Sequence, residues 1–521
     1  MKKLLTLSDI GTKGLNSDVA PWDLPPEFIT AGKNFRVDAG SILSSGGSEV
    51  WSTSGTAFNP GYLMHIPAVS SNYWLVYGRS AVYVFDGTTW TDVSSTAGYA
   101  GIGIDDEQLW TGCMLGQIPI ASNPQGAPEY WSPQSPGQIL QPLQFDAANT
   151  WAAKGYSFKV LRSHKNFLFA LNLSEGASEL PNSYRWSHPA DINGLPFSWD
   201  ETDLSSLAGK AQIGGNAGAI IDGHSLRDAF AIYSENATSV LDFTGDEFVW
   251  RRRELSTSFG LISRNCIAEV KGTHFFLGDG DIVMNDGNKI ESIIHNKLRK
   301  QLISRMSVDA FTTSYVVNNL AKKELWFCVP EEDSLTPNVA YIYNWRDDSW
   351  AVRDLPTAVN FATYGSQTDP TTTWDTWGET WDSASGTWGS RKSTPLDDTI
   401  VGVSSANSSL ILMDPPSSAS DLNAVIERTN FPLEGHKPVT TITRVYPHVE
   451  GSGDMIIQFG SQDYAGAPVR WKPEVTFNPG TQRKVDVRTT GELHCWRIRS
   501  VGSNAWSMSG IDIEYTTAGE R

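Results

Sequence analysis

The sequence is short of cysteine, of charge and of long apolar runs. Its four cysteines, Cys113, Cys266, Cys328 and Cys495, lie far apart, and no CxxC pair occurs. That excludes a small disulfide-framed domain, whose cysteines are dense, and leaves free, partly buried thiols as the expectation. Charged residues make up 19% of the chain and hydrophobic residues 40%, which excludes global disorder. Basic residues are the scarcer kind: 40 Lys and Arg stand against 58 Asp and Glu, for a net charge of −18. A free-standing nucleic-acid binder carries a basic footprint, so that class is disfavoured. A surface past which DNA slides without sticking is not. No stretch approaches the ~18 apolar residues of a membrane-crossing helix. The opening MKKLLTLSDIGTKGLNSD gathers only Leu4, Leu5, Leu7 and Ile10 as its apolar patch. This is too short and interrupted for a signal peptide, so the chain is expected to be made soluble, with nothing to send it out through secretion.

Chemical motifs are missing as well. Nine histidines are scattered, with no HExxH or HxH, and no GxSxG, Walker loop or post-strand GxGxxG occurs. His494-Cys495 has no second pair at ligand spacing. The string GDGDIVMNDGNK sets Asp279, Asp281 and Asp286 in a loop, but Val283 and Met284 stand where a calcium loop needs Asp or Asn and then Gly. Asp-Gly turns between strands explain it better. With 58 acids, any two carboxylates can be nominated as a glycosidase pair. No catalytic residue, metal ligand or cofactor is therefore expected.

What the chain has is aromatics and turn formers: 20 Trp, 16 Tyr and 21 Phe, with 46 Gly and 27 Pro, in 521 residues. Short strands punctuated by turns are the expected result, and the fold class is all-β. Residues 1–50 read as an N-terminal segment. Pro25-Pro26 before EFITAGKNF predicts a short helix, and Asp38-Ala39-Gly40 a hairpin. Residues 51–434 alternate through YWLVYGRSAVYVFDGTTW, FKVLRSHKNFLFALNL and CIAEVKGTHFFLGDGDIVMNDGNK, with turns every 8–12 residues, as sandwiches and propellers do. The phrase Tyr83 to Trp90 echoes weakly at Ile282 to Gly287 and at Tyr343 to Trp350. This recurrence favours an irregular β-propeller with divergent blades. One amphipathic helix is predicted in IESIIHNKLRKQLISRM, with Ile290, Ile293, Ile294, Leu298, Leu302 and Met306 on its apolar face. Residues 435–521 carry five or six further strands and read as a small β-sandwich domain.

Two clusters are candidates for contact rather than chemistry. Arg251-Arg252-Arg253 is sharp in so acidic a chain. It reads equally as an assembly or DNA-channel contact and as a charged guard on an edge strand. The tract near 366–398, TDPTTTWDTWGETWDSASGTWGSRKS, spaces Trp374, Trp377, Trp381 and Trp388 at helical intervals in filler that disfavours a helix. A loop whose indoles plug into a neighbouring surface is expected, ahead of a sugar-stacking platform.

The string GLNSDVAPWDLPPEFITAGKNFRVDAGSILSSGG, through Gly14-Leu15-Asn16, Asp23-Leu24-Pro25-Pro26, Asn34, Asp38 and Gly40, resembles the start of short-tailed bacteriophage tail proteins. These are variously called tail nozzle, tail tubular or packaged-DNA stabilisation proteins. The stretch from Tyr233 to Ile293, the Trp-rich tract and the ending WSMSGIDIEY are similar to the same family in the same order. The resemblance covers most of the chain as an order of segments, and none of its motifs is catalytic. It implies a propeller body with an added β platform, in a virion protein made in the host cytoplasm. It further implies a homohexameric ring below portal and adaptor proteins, next to tail fibre, needle or tip proteins. The ring would retain packaged DNA and pass it at ejection without sequence-specific binding. Two rival functions stand beside it. One is a tail protein that binds host-surface glycan or anchors fibres, and the other is a propeller glycosidase.

Overall fold

In the computed structural model the described residues are 2–67, 72–103, 106–123, 125–192, 194–245, 248–367, 398–415, 421–435, 438–451, 453–502 and 504–520. Seven sheets follow one another along the chain, each opening with four antiparallel strands. We number them as blades 1 to 7. Their innermost strands are Pro60–Pro67, Thr111–Leu115, Tyr156–His164, Ile220–Leu226, Ile267–Val270, Tyr315–Asn319 and Val359–Gly365. The innermost strand of blade 7 packs against that of blade 1, which closes the circle. Closure is completed by chain from far upstream: Ser48–Thr53 is the outer strand of blade 7, paired with Ser409–Met413. The fold is a β-propeller.

Two more sheets form the sandwich. One runs Val485–Gly491, Pro438–Gly451, Trp506–Glu520, Ser41–Ser44, Phe35–Asp38, with Lys2–Leu7 also on Trp506–Glu520. The other runs Arg470–Trp471, Met455–Gln462, Leu493–Ser500, Val425–Phe431, Ala31–Lys33, with Val475–Phe477 on Met455–Gln462. The N-terminal segment is thus no unit of its own. It gives strands to both sandwich sheets and to blade 7. It also adds Gly14–Leu15 and Phe28–Ile29 in parallel to blade 6. The sandwich takes in Val425–Phe431, ahead of residue 435. One buried apolar cluster runs from Phe276 and Trp326 in the propeller through Ile29 and Phe35 into Ile442, Ile498 and Ile513 of the sandwich.

Two helix expectations are corrected. After Pro25-Pro26 the chain forms the strands Phe28–Ile29 and Ala31–Lys33, because Thr30 and its neighbours find partners on Val425–Phe431: Thr30 N donates to the Glu427 carbonyl at 3.0 Å. A waiting sheet edge outweighs local helix preference. In the second segment Ile290–Ser292 is the outer strand of blade 5, and only Arg299–Arg305 is helical. The apolar positions match helical spacing because Ile294, Leu298 and Leu302 are all buried, while the backbone at Ile290 is claimed by the sheet. The hairpin turn at Ala39 and Gly40 has φ of 49° and 80°, the left-handed pair that a two-residue turn requires.

The hairpins that join first and second strands share a device. Lys165, Arg227, Lys271 and Lys323, in blades 3 to 6, all sit at positive φ. A basic side chain at each of these tips reaches the next blade. Lys165 Nζ lies 4.9 Å from the Phe243 ring centre, Arg227 Nε donates to the Gly272 carbonyl at 3.0 Å, and Lys271 Nζ lies 4.6 Å from the Trp345 ring centre. In blade 6 the partner is an ion pair, Lys322 to Asp414 at 2.7 Å.

Candidate functional site in the central channel

The inner strands of all seven blades converge on a cavity of about 370 Å³. Blades 6, 7 and 1 give it an apolar wall of Val316, Phe361 and Tyr62, the two rings 4.8 Å apart. Blades 3, 4 and 5 give it a polar wall of Arg162, Ser163, Asp222, His224, Ser225 and Asn265.

Arg162 is the hub of the polar wall. Its Nη2 donates to Asp222 Oδ2 at 2.8 Å and to Asn265 Oδ1 at 2.9 Å. Its Nη1 donates to Thr111 Oγ1 at 2.9 Å and to the Gly112 and Leu161 carbonyls at 3.1 and 3.0 Å. One side chain therefore ties blades 2, 3, 4 and 5. Asp222 is fully spent: Oδ1 accepts from Gly223 N at 2.7 Å and Oδ2 also from Asn265 N at 2.8 Å. Burial works against the Arg162 charge, but Asp222, Tyr62 and Cys113 together outweigh it and hold the guanidinium pKa above its ordinary value. Arg264 flanks this pair and, among the described residues, forms no ion pair with a carboxylate. Its Nη1 donates to the Leu109 and Lys159 carbonyls at 2.7 and 3.2 Å, and burial lowers its pKa to about 10.

Between blades 3 and 4, outside the channel lining, His164 Nδ1 lies 2.9 Å from Ser225 Oγ and Nε2 lies 3.1 Å from the Asp228 carbonyl. Burial lowers the His164 pKa, so the ring is neutral, with its proton on Nε2 and Nδ1 accepting from Ser225. The group that orients this histidine is a carbonyl, whereas a hydrolytic triad uses a carboxylate to stabilise the imidazolium. The Ser163 carbonyl lies 3.2 Å from the same Ser225 Oγ and is the other acceptor within reach of its one proton. His224 is lowered too, by burial first, and its Nδ1 donates to the Ser225 carbonyl at 3.2 Å. Burial pushes the Cys113 thiol and the Tyr62 phenol up to about 12, so both stay protonated.

The residues singled out in sequence lie elsewhere. Arg251, Arg252 and Arg253 are on Trp250–Ser256, the outermost strand of blade 4, and line no part of the channel. Arg253 is held by Asp242 Oδ2 at 2.9 Å and by the Gly287 carbonyl at 3.0 Å, and Arg252 approaches Ser239 Oγ at 3.4 Å. Trp374, Trp377, Trp381 and Trp388 fall outside the described residues. Their tract joins the first two strands of blade 7. Asp281 bonds Ser292 Oγ at 2.6 Å and Asp286 accepts from its own turn, as Asp-Gly turns between strands require. Among the described residues no group of three or more His, Cys, Asp or Glu is placed to hold a metal. The channel residues were missed because each is a lone polar residue in a strand. The available signal was a charge inside an apolar run, Arg162 in FKVLRSHKNFLFAL and Asp222 in AIIDGHSL.

No protein-family model matches the chain, and no curated protein does. Similar solved structures include BBS1N in complex with ARL6DN, at 6% identity and a TM-score of 0.40 over 73% of this chain and 98% of that one. The WD40 domain of Neurospora crassa Pan2 is also similar, at 6% identity and a TM-score of 0.39 over 73% and 98%. The fold assignment rests on the order of the sheets and on the closure of blade 7 onto blade 1.

Proposed function

We propose that the chain is a structural protein of a virus particle, the nozzle of a short phage tail, built as a ring of copies that helps retain packaged DNA and passes it at ejection. The observation that carries this reading is the use made of the channel's polar groups. Both Nη groups of Arg162 and the Asp222 carboxylate are consumed in joining blades, as a scaffold needs, rather than held ready for a reacting bond. The segment order of the sequence agrees with the tail-protein resemblance. A cavity of about 370 Å³ admits a small molecule and no DNA duplex, so a DNA conduit has to lie between subunits. A net charge of −18 suits its wall, since an acidic surface releases no counterions from DNA and so does not grip it.

The glycosidase reading asks for two facing carboxylates. Asp222 is the one carboxylate among the described residues that line the channel. The glycan-binding reading depends on the tract at 366–398.

Interrupting the gene in the phage that encodes the chain tests the proposal. Particles should fill with DNA and then lose it. Particles that retain DNA and eject it normally would contradict a nozzle role.

A further inference from the structure

We propose that the central channel binds a small oxyanion, a carboxylate or a phosphate, against Arg162 and Asn265. Three observations converge on it. The first is charge. Two guanidinium groups, Arg162 in the wall and Arg264 outside the lining, feel the charge of one carboxylate, Asp222, whose oxygens already accept from Arg162, Asn265 N and Gly223 N. Among the described residues that line the channel Asp222 is the one carboxylate, and its oxygens are used within the wall, inside a chain whose total charge is strongly negative.

The second observation is the state of the donors. Arg162 Nε and Asn265 Nδ2 have no partner among the described residues, although Arg162 Nη2 and Asn265 Oδ1 are bonded at 2.9 Å. Two unspent N–H groups thus stand next to each other on a wall fixed by five hydrogen bonds from Arg162. Guanidinium N–H groups suit carboxylate and phosphate oxygens, and fixed donors bind with little ordering cost. On the same wall His224 donates from Nδ1, and its Nε2 is an acceptor with no partner among the described residues. That suits an oxyanion carrying one O–H, such as monohydrogen phosphate or a hydroxy acid.

The third observation is room and shape. The cavity holds about 370 Å³, with an aromatic wall of Tyr62 and Phe361 opposite the donors. A polar end facing an apolar side is the usual build of a small-molecule pocket.

The test is titration calorimetry of the full chain at pH 7 with inorganic phosphate and, separately, citrate, against sodium chloride of matched ionic strength. Saturable binding of at least one probe is expected, and it should weaken at least tenfold in Asn265→Asp, which replaces the free donor by a carboxylate. His224→Leu, which removes the acceptor in the cavity wall, should weaken phosphate binding and decides alone where Asn265→Asp does not fold. Heats no larger than those of sodium chloride for both probes, or unchanged affinity in a folded variant, would overturn the proposal.

Discussion

Arg36 grips both carboxylate oxygens of Glu324, Nε to Oε1 at 3.0 Å and Nη2 to Oε2 at 2.9 Å. Arg36 is on the sandwich hairpin and Glu324 opens the second strand of blade 6, so this pair joins the two parts of the molecule. Arg36 Nη2 also bonds Asp414 Oδ2 at 2.6 Å, at the end of blade 7. Lys322 reaches the same oxygen at 2.7 Å, and Arg353 stacks its guanidinium 4.6 Å from the Trp326 ring centre. A buried network of this kind contributes little net energy when whole, but losing one member strands the others.

Arg36→Ala should therefore be among the most damaging single changes. It leaves Glu324 buried with only the Trp326 indole N–H, at 3.0 Å, as its remaining side-chain partner. A loss of about 3–5 kcal/mol is expected. Differential scanning calorimetry checks it, and limited proteolysis should show the sandwich released before the blades.

Stability should fall in two steps on acidification. Burial lowers His274 to about 3 and His494 to about 4, so the folded state keeps both neutral. The unfolded chain takes up these protons below about pH 6.5, and stability is lost from there down to the folded values. Burial raises the Asp414 pKa, but Arg36, Arg353 and Lys322 together pull it below its ordinary value. Its contribution is present above about pH 3.9 and disappears as pH falls through the depressed folded value. Melting temperature measured from pH 7 to 3 should show both steps, and His494→Gln should flatten the first.

All four cysteines should resist thiol reagents in the folded protein. Burial pushes Cys113, Cys328 and Cys495 up to about 12 and Cys266 higher still, so the reactive thiolate is scarce. Titration with a chromogenic disulfide should find no fast-reacting thiol at pH 7.5 and four after denaturation. Rapid native labelling would contradict the packing.

At the blade 3 hairpin, Lys165 has φ of 53°. Lys165→Val should cost about 1–2 kcal/mol, because a β-branched residue resists the left-handed region. Lys165→Asn should cost less, losing only the contact with Phe243. Thermal melts of the two variants compare them directly.

The strands of the propeller were legible wherever alternation and turn chemistry coincide. The weak echo of Tyr83 to Trp90 at Ile282 to Gly287 and at Tyr343 to Trp350 falls on the third-to-fourth strand turn of blades 1, 5 and 6. Asp86 and Asp286 each accept from the backbone N–H groups two and three residues on, so the repeat reflects a shared Asx turn. The number of blades was not legible, since flanking strands differ in length and blade 7 is completed from residues 48–53. Nor was the route of residues 1–44, which no local pattern assigns to the sandwich. The channel hub was hidden for another reason. Arg162 and Asp222 become neighbours only when blades 3 and 4 close on a common axis, and pairing over 60 positions leaves no short motif.

The nozzle proposal is tested most directly by electron microscopy of virions with this protein labelled. The account predicts label in a ring of copies on the distal half of the tail, around a channel that runs between subunits. A tail without label, or label confined to single copies on fibres, would contradict it.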